Sequence, residues 1–482
     1  MKTPAPDPES WSNRSPGDLS LELPVVHRSD VCASVAASAG AAAAWGRLPL
    51  EGRIELLAAA RSHIEVLQED LARGISLETG KPIREARGEL GAVIAKFDLT
   101  FADARAHLAD LPVAGGPHPA LVRRRPRGPA AVIAPFNFPL HLGHGAALAH
   151  LVAGNPVLFK PSPLAATVAG RYAEAMASAL PRGVFTLVQG GAATGRALSL
   201  DPAVRSVCFT GGAAAGRALL AGAADDLGKE IALELGGKNS LILCADGDLR
   251  AAAVATAEGM CLTAGQRCNA TSRVLVEREV SPRFVELLLE ALRPFVPGNP
   301  LSESTRLGPL ISAAAAGRHR ELCSRPSPDW ILKGRADGEA DGLRGHYVTP
   351  GVLRLGPDTP GPDRNELLGT ETFCPILTLE EWDSEAEAIE LNNSTPFGLT
   401  CSIFTRSEAR FLRIAAEVKD GNVYANLPTT FSPSTLPFGG WGSSGNRRPG
   451  GRGFIRFVTE EQAVQAARDG FSPAPSGAAP KP

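Results

Sequence analysis

The chain has 482 residues, 44% apolar and 21% charged, with a formal net charge of −2. That length exceeds one hydrophobic core and calls for two or three domains, and the near-neutral balance argues for a small-molecule ligand over nucleic acid or an anionic membrane. Eight cysteines are scattered without metal-ligand spacing, mostly in apolar runs, which reads as reduced thiols in a soluble cytoplasmic protein with no metal centre.

Residues 1–25 are rich in Pro and Ser and carry no apolar signal-like stretch, so poor order is expected there. From Ser29 to Leu108 apolar residues recur at helical spacing, with Gly80 and Pro82 closing one run, and an outer helical layer follows. The arginine run Val122 to Gly128 is too short for a nucleic-acid patch and leads straight into an apolar strand. Then "PAAVIAPFNFP", "NPVLFKPS", "GVFTLVQG" and "VRSVCFTGG" alternate with helical segments, the signature of βαβ units on a parallel sheet. Residues 26–105 and 126–235 are assigned to this Rossmann-type, cofactor-binding layer. A second α/β series, residues 236–436, begins at "NSLILCADGD", a return segment covers 437–450, and the Pro/Ala-rich tail 471–482 is expected to be disordered.

Several residues in these elements suit chemistry. Asn137, between two phenylalanines and two prolines, is either an oxyanion donor or a turn cap. Lys160 ends a strand where α/β sheets bind ligands, or simply snorkels there. Gly211, Gly212 and Gly216 form a strand-to-helix turn fit for an anion, though not in GxGxxG spacing. Glu234 ends an apolar strand, where burial raises a carboxyl toward the range of a general base; a structural ion pair is its other reading. Cys268 lies in a Gly-flanked turn, "TAGQRC", beside Arg267, which would favour its thiolate, whereas Cys261 sits in apolar company. His141 and His144 lack a third ligand and read as packing residues.

Taken in order, "PFNFP", "FKPS", "FTGG", "ELGGKN", "GQRC", "ETFCP" and "PFGGWGSSG" resemble the motifs of the aldehyde dehydrogenase superfamily, from about Asp30 to Phe457. Within it, "TAGQRC", "FPLHL", "FTLVQGG" and "PFGGWGSSGNRRP" look like the succinylglutamate-semialdehyde dehydrogenase branch. The resemblance implies an α/β fold with a Rossmann-type cofactor domain, a catalytic domain and a small bridging sheet from residues 106–125 and 451–470, in a homodimer or homotetramer. It implies oxidation of an aldehyde with NAD, or NADP. Cys268 would be the nucleophile, Asn137 and the Cys268 N–H the oxyanion donors, and Glu234 the base for hydrolysis. Lys160, Ser162, Thr210, Gly211, Gly212, Gly216, Glu371 and Phe373 would hold the cofactor. Two other readings are a coenzyme A-acylating relative and a non-catalytic cofactor-binding scaffold. Arg447 and Arg448, after a Gly-Asn turn, are candidates to pair with a substrate carboxylate, or a solvated surface pair.

Some positions depart from the family pattern. Pro163 stands where many NAD-using relatives carry a glutamate that contacts the adenosine ribose, which leaves NADP open. Cys374 replaces a glycine and "VYAN" replaces "VNxN", changes that would crowd the nicotinamide or substrate side. The N-terminal region looks short, so a first hairpin is expected to be missing or frayed.

Overall fold

The computed structural model describes residues 4–114, 118–325, 329–356 and 361–467. The tail 471–482 lies outside them. The N-terminal arm departs from the expectation of poor order and of a missing hairpin. Ser10–Trp11 pairs with Val26–His27, and Arg14–Ser15 forms a hairpin with Asp18–Glu22. Its order comes from distant partners that local composition does not encode: Trp11 Nε1 and Asn13 Nδ2 donate to the Pro163 carbonyl, and Tyr347 Oη donates to that of Gly17.

Four helices follow, Val31–Arg47, Leu50–Val66, Gln68–Thr79 and Ile83–His107. The third ends at Gly80 with φ 75°, a left-handed cap that glycine adopts without a Cβ penalty. The fourth buries Ile83, Ala86, Leu90, Val93, Phe97 and Phe101 along one stripe. Full burial of each large member contributes about 1.5–3 kcal/mol, and that stripe packs the layer onto helix His141–Ala153.

Beneath this layer is a five-stranded parallel sheet in the order Glu230–Glu234, Ser206–Thr210, Ala130–Ile133, Val157–Lys160, Phe185–Leu187. The chain order reverses at Ala130–Ile133, and a crevice at the carboxyl ends of strands around such a point is where doubly wound sheets take ligands. Lys160, Thr210 and Glu234 all end strands at that edge.

After Glu234 the chain crosses into a seven-stranded sheet: Trp330–Leu332, Gly351–Arg354, Ile376–Trp382, Thr271–Glu277, Asn239–Leu243, Thr400–Phe404, Asn422–Ala425. All neighbours are parallel except the first pair. Arg273 and Glu380 form a fully buried ion pair at 2.6 Å between adjacent strands. The third sheet is antiparallel, with Ala120–Pro126 between Leu111–Val113 and Thr459–Gln465. Here three arginines of the run are paired, Arg123 with Asp110, Arg124 with Glu461 and Arg127 with Glu460.

Among the described residues no helix is long and apolar enough to cross a membrane, no three potential metal ligands cluster, and all eight cysteines are free thiols.

Candidate active site

A cavity of about 970 Å³ runs along the carboxyl edge of the five-stranded sheet to the second domain, and Asn137, Lys160, Thr210, Glu234, Cys268 and Glu371 all line it. The residues singled out from sequence therefore converge from segments up to 234 positions apart, as the alternation of strands and helices requires.

The turn leading to Cys268 is unusual backbone. Thr263, Ala264 and Gly265 take φ of 53°, 54° and 70° in succession. For Thr and Ala that conformation costs roughly 1–2 kcal/mol each, so tertiary contacts must hold it. Glu85, on the fourth helix of the outer layer, does so: its carboxylate accepts from Thr263 N at 3.2 Å, Thr263 Oγ1 at 2.7 Å and Arg267 Nη2 at 2.7 Å. Gly265 is needed on space as well, since a Cβ there would lie 2.6 Å from the Cys374 carbonyl carbon. Gln266 adds a brace, receiving Ile311 N on Oε1 and donating Nε2 to Thr263 O.

Arg267 thus serves Glu85 and the face of Phe138, and the expectation that it lowers the Cys268 thiol pKa is corrected. Burial pushes that thiol well above its ordinary range, and the negative charges of Glu234 and Glu371 push it the same way. Deprotonation therefore needs a base.

Glu234 is placed to be that base. It is 2% exposed, and neither carboxyl oxygen has a partner within hydrogen-bonding distance among the described residues, although the Cys268 thiol lies near enough to influence it. Burial raises its pKa to about 7, with the thiol pulling weakly the other way. Buried carboxyl oxygens without protein partners, facing a cavity, are matched to a water molecule or a substrate proton. Asn137 Nδ2 donates to Gln266 O at 2.8 Å, which fixes the amide beside the turn and leaves its second N–H free. The Cys268 backbone N–H donates to no acceptor among the described residues, while its carbonyl accepts from Asn239 Nδ2 at 2.8 Å. Two unengaged donors on the same cavity wall as Cys268 are the kind of pair that can hold an oxyanion.

Away from Cys268 the cavity suits a dinucleotide. Gly212 starts helix Ala213–Gly222 with no side-chain cap, so its first N–H groups are offered to an anion. A Cβ on Gly216 would come within 2.9 Å of Leu235, so glycine lets that helix lie close on the sheet. Lys160 is 3% exposed, its pKa lowered to about 8 by burial, with Nζ donating to the Pro161 carbonyl. Ser162 caps the turn that follows. Glu371 accepts from Gly237 N at 3.1 Å, and burial raises its pKa to about 8. Phe373, at φ 51°, packs edge-on to Phe136 with ring centroids 5.9 Å apart.

Three sequence candidates fall elsewhere. Arg447 reaches Glu230 and Phe457, and Arg448 donates to Gly421 O and covers Trp441; neither lines the cavity. Cys374 is buried behind Gly265 and does not line the cavity either. Sequence reasoning missed Glu85, whose role depends on a residue 178 positions away, and Arg196 and Arg318, cations at the cavity wall. A helical arginine carries no local signal of that placement.

Comparison with known proteins agrees with this geometry. The chain is 36% identical over 434 residues, 87% of its length and 85% of the relative's, to the N-succinylglutamate 5-semialdehyde dehydrogenase of Klebsiella pneumoniae subsp. pneumoniae. Its fold matches an NAD-dependent aldehyde dehydrogenase from Sinorhizobium meliloti with TM-score 0.89 and 31% identity, covering 95% of this chain and 91% of that one. It also matches a variant of the P. syringae indole-3-acetaldehyde dehydrogenase in complex with NAD+, with TM-score 0.88, 28% identity and 97% of each chain. With residues 8–464 matching the profile described as aldehyde dehydrogenase family, the chain belongs to the aldehyde dehydrogenase family.

Proposed function

We propose that this aldehyde dehydrogenase oxidises an acidic semialdehyde of the N-succinylglutamate 5-semialdehyde kind to its carboxylic acid, using NAD and hydrolysing a thioester on Cys268. The observation that carries the chemistry is the convergence of Cys268, the unpartnered carboxyl of Glu234 and the two free N–H donors of Asn137 and Cys268. Glu234 takes the thiol proton, and sulfur adds to the aldehyde carbon. The resulting oxyanion lies between the Asn137 amide and the Cys268 N–H. NAD, when bound, supplies the hydride acceptor; the helix start at Gly212, Lys160 and Glu371 would hold it, with Phe373 at the wall. Once its first proton has passed to solvent, Glu234 draws a proton from water, which attacks the thioester; the acid leaves and Glu234 returns that proton to the departing sulfur.

The choice of substrate rests on the curated relative's name and its 36% identity over most of both chains. Hydrolysis is favoured over transfer to coenzyme A because Glu234 faces the cavity with both oxygens free for water. The small antiparallel sheet is read as the assembly surface of a homodimer or homotetramer, since its edge strand Leu111–Val113 exposes Leu111 and Val113 at 64% and 48%.

The test is absorbance of reduced nicotinamide with N-succinylglutamate 5-semialdehyde, succinate semialdehyde, a medium aliphatic aldehyde and benzaldehyde. Turnover should be highest on an acidic semialdehyde, independent of added coenzyme A, and absent in Cys268→Ala while NAD still binds. Preference for benzaldehyde would overturn the substrate class, and dependence on coenzyme A would overturn hydrolysis.

A further inference from the structure

The N-terminal arm does more than cover the sheet. Pro4 lines the same cavity as Lys160, Ser162, Pro163, Gly191 and Arg196, so the arm forms one wall of its end remote from Cys268. Three residues on, Asp7 sets its carboxylate on the first turn of helix Ala192–Leu200. It accepts from Gly191 N at 2.8 Å, Thr194 N at 2.7 Å and Ala193 N at 3.2 Å. Arg28 Nη1 donates to the Asp7 carbonyl at 2.8 Å, and Arg28 N donates to Glu9 O at 2.8 Å, so the arm is pinned on both sides of the carboxylate. Gly191 permits the approach: a Cβ there would lie 2.4 Å from Asp7 Oδ1.

Residue 163 offers this end of the cavity no carboxylate. It is a proline whose carbonyl is taken by Trp11 and Asn13 of the arm. The negative charge near it comes instead from Asp7, which stands behind the cavity wall on Gly191 and Thr194 and is close enough to favour the charged form of Lys160. Without Asp7 the region would hold a bare helix start, Lys160 and Arg196, which makes no hydrogen bond or ion pair among the described residues. That is a set of groups suited to a phosphate dianion.

We propose that Asp7 is the cofactor-selecting residue of this enzyme: the negative charge that it sets at the helix start repels a 2′-phosphate, so the site accepts NAD and excludes NADP. Placing two anions side by side is costly, and that penalty discriminates between dinucleotides differing by one phosphate. The neutral NAD ribose meets no such repulsion.

This rests on the dinucleotide reading above, and direct binding separates the two. Dissociation constants for NAD and NADP are measured by calorimetry on the full chain, for wild type, Asp7→Asn, and Asp7→Asn with Arg196→Ala. The wild type should bind NAD at least tenfold more tightly than NADP. Asp7→Asn, which keeps the side chain's shape and an acceptor for the helix, should tighten NADP by about tenfold and leave NAD within about twofold; adding Arg196→Ala should reverse the gain. If Asp7→Asn melts appreciably lower than wild type, Asp7→Ser, an uncharged cap, takes its place. A ratio that neither variant moves overturns the role of Asp7, as does a wild type that binds both dinucleotides equally. Absence of binding to either one in the wild type overturns the underlying reading instead.

Discussion

If burial holds the Glu234 carboxyl at a pKa of about 7, the hydrolytic step must titrate where an ordinary carboxylate would not. An acid of pKa 7 is ionised to about 9% at pH 6 and about 91% at pH 8, so a rate proportional to the base form rises roughly tenfold over that interval. At the ordinary 4.5 the same interval changes the ionised fraction by only about 3%. The assay is single-turnover breakdown of the acylated Cys268 after rapid mixing, followed from pH 5.5 to 8.5, with Glu234→Gln alongside. The variant should be slower by about 10²–10⁴-fold, the usual contribution of a positioned base, and flat with pH. A flat profile in the wild type would refute the reasoning, since it would mean that another group activates water or that Glu234 is ionised throughout. A second consequence follows by linkage. The folded chain holds this proton between about pH 4.5 and 7 while the unfolded chain loses it, so this group's contribution to stability falls as pH rises through that window. Glu234→Gln should therefore gain on wild type by up to about 3 kcal/mol at pH 8 and by little at pH 4.5, read from urea midpoints at both values.

Asn137→Ala should lower kcat by about 10²–10³-fold with little change in NAD affinity, because it removes one oxyanion donor; steady-state kinetics and calorimetry read the two separately. Glu85→Ala takes three hydrogen bonds from the left-handed turn, so Cys268 alkylation by iodoacetamide and kcat should both change although Glu85 does not line the cavity, whereas an unchanged alkylation rate would deny it a positioning role. Glu380→Leu leaves Arg273 buried without its partner and should cost about 3–5 kcal/mol, measured by urea unfolding.

How far the sequence was legible depended on the range of the interactions involved. The strand-helix alternation from Ala130 onward is a local pattern, and the observed sheet follows it closely. That Asn137, Lys160, Glu234 and Cys268 would meet at one cavity was legible because each sits at the end or turn of such an element, the part of a strand-helix unit that faces the crevice. Glu85, Asp7 and Gln266 were not, because their meaning lies in partners that only the folded chain supplies. The arm misled for the same reason: "PDPES" and its neighbours read as solvated coil, yet Asp7, Trp11 and Asn13 each find a distant backbone group. For Arg447 and Arg448, too, a Gly-Asn turn in the sequence carries no signal of their contacts with Glu230 and Trp441.

The three left-handed residues before Cys268 also bear on when the cysteine acquires its partners. They are costly alone, and Glu85, the group that steadies them, belongs to a helix made far earlier in the chain. Until that helix docks, the turn has no reason to keep its shape, and Cys268 is an ordinary thiol without its oxyanion donors. Completion of the fold thus exchanges one kind of reactivity for another: an unfolded chain carries an ordinary thiol open to any electrophile, whereas the closed fold holds the thiol protonated by burial and pairs it with Glu234 as its base.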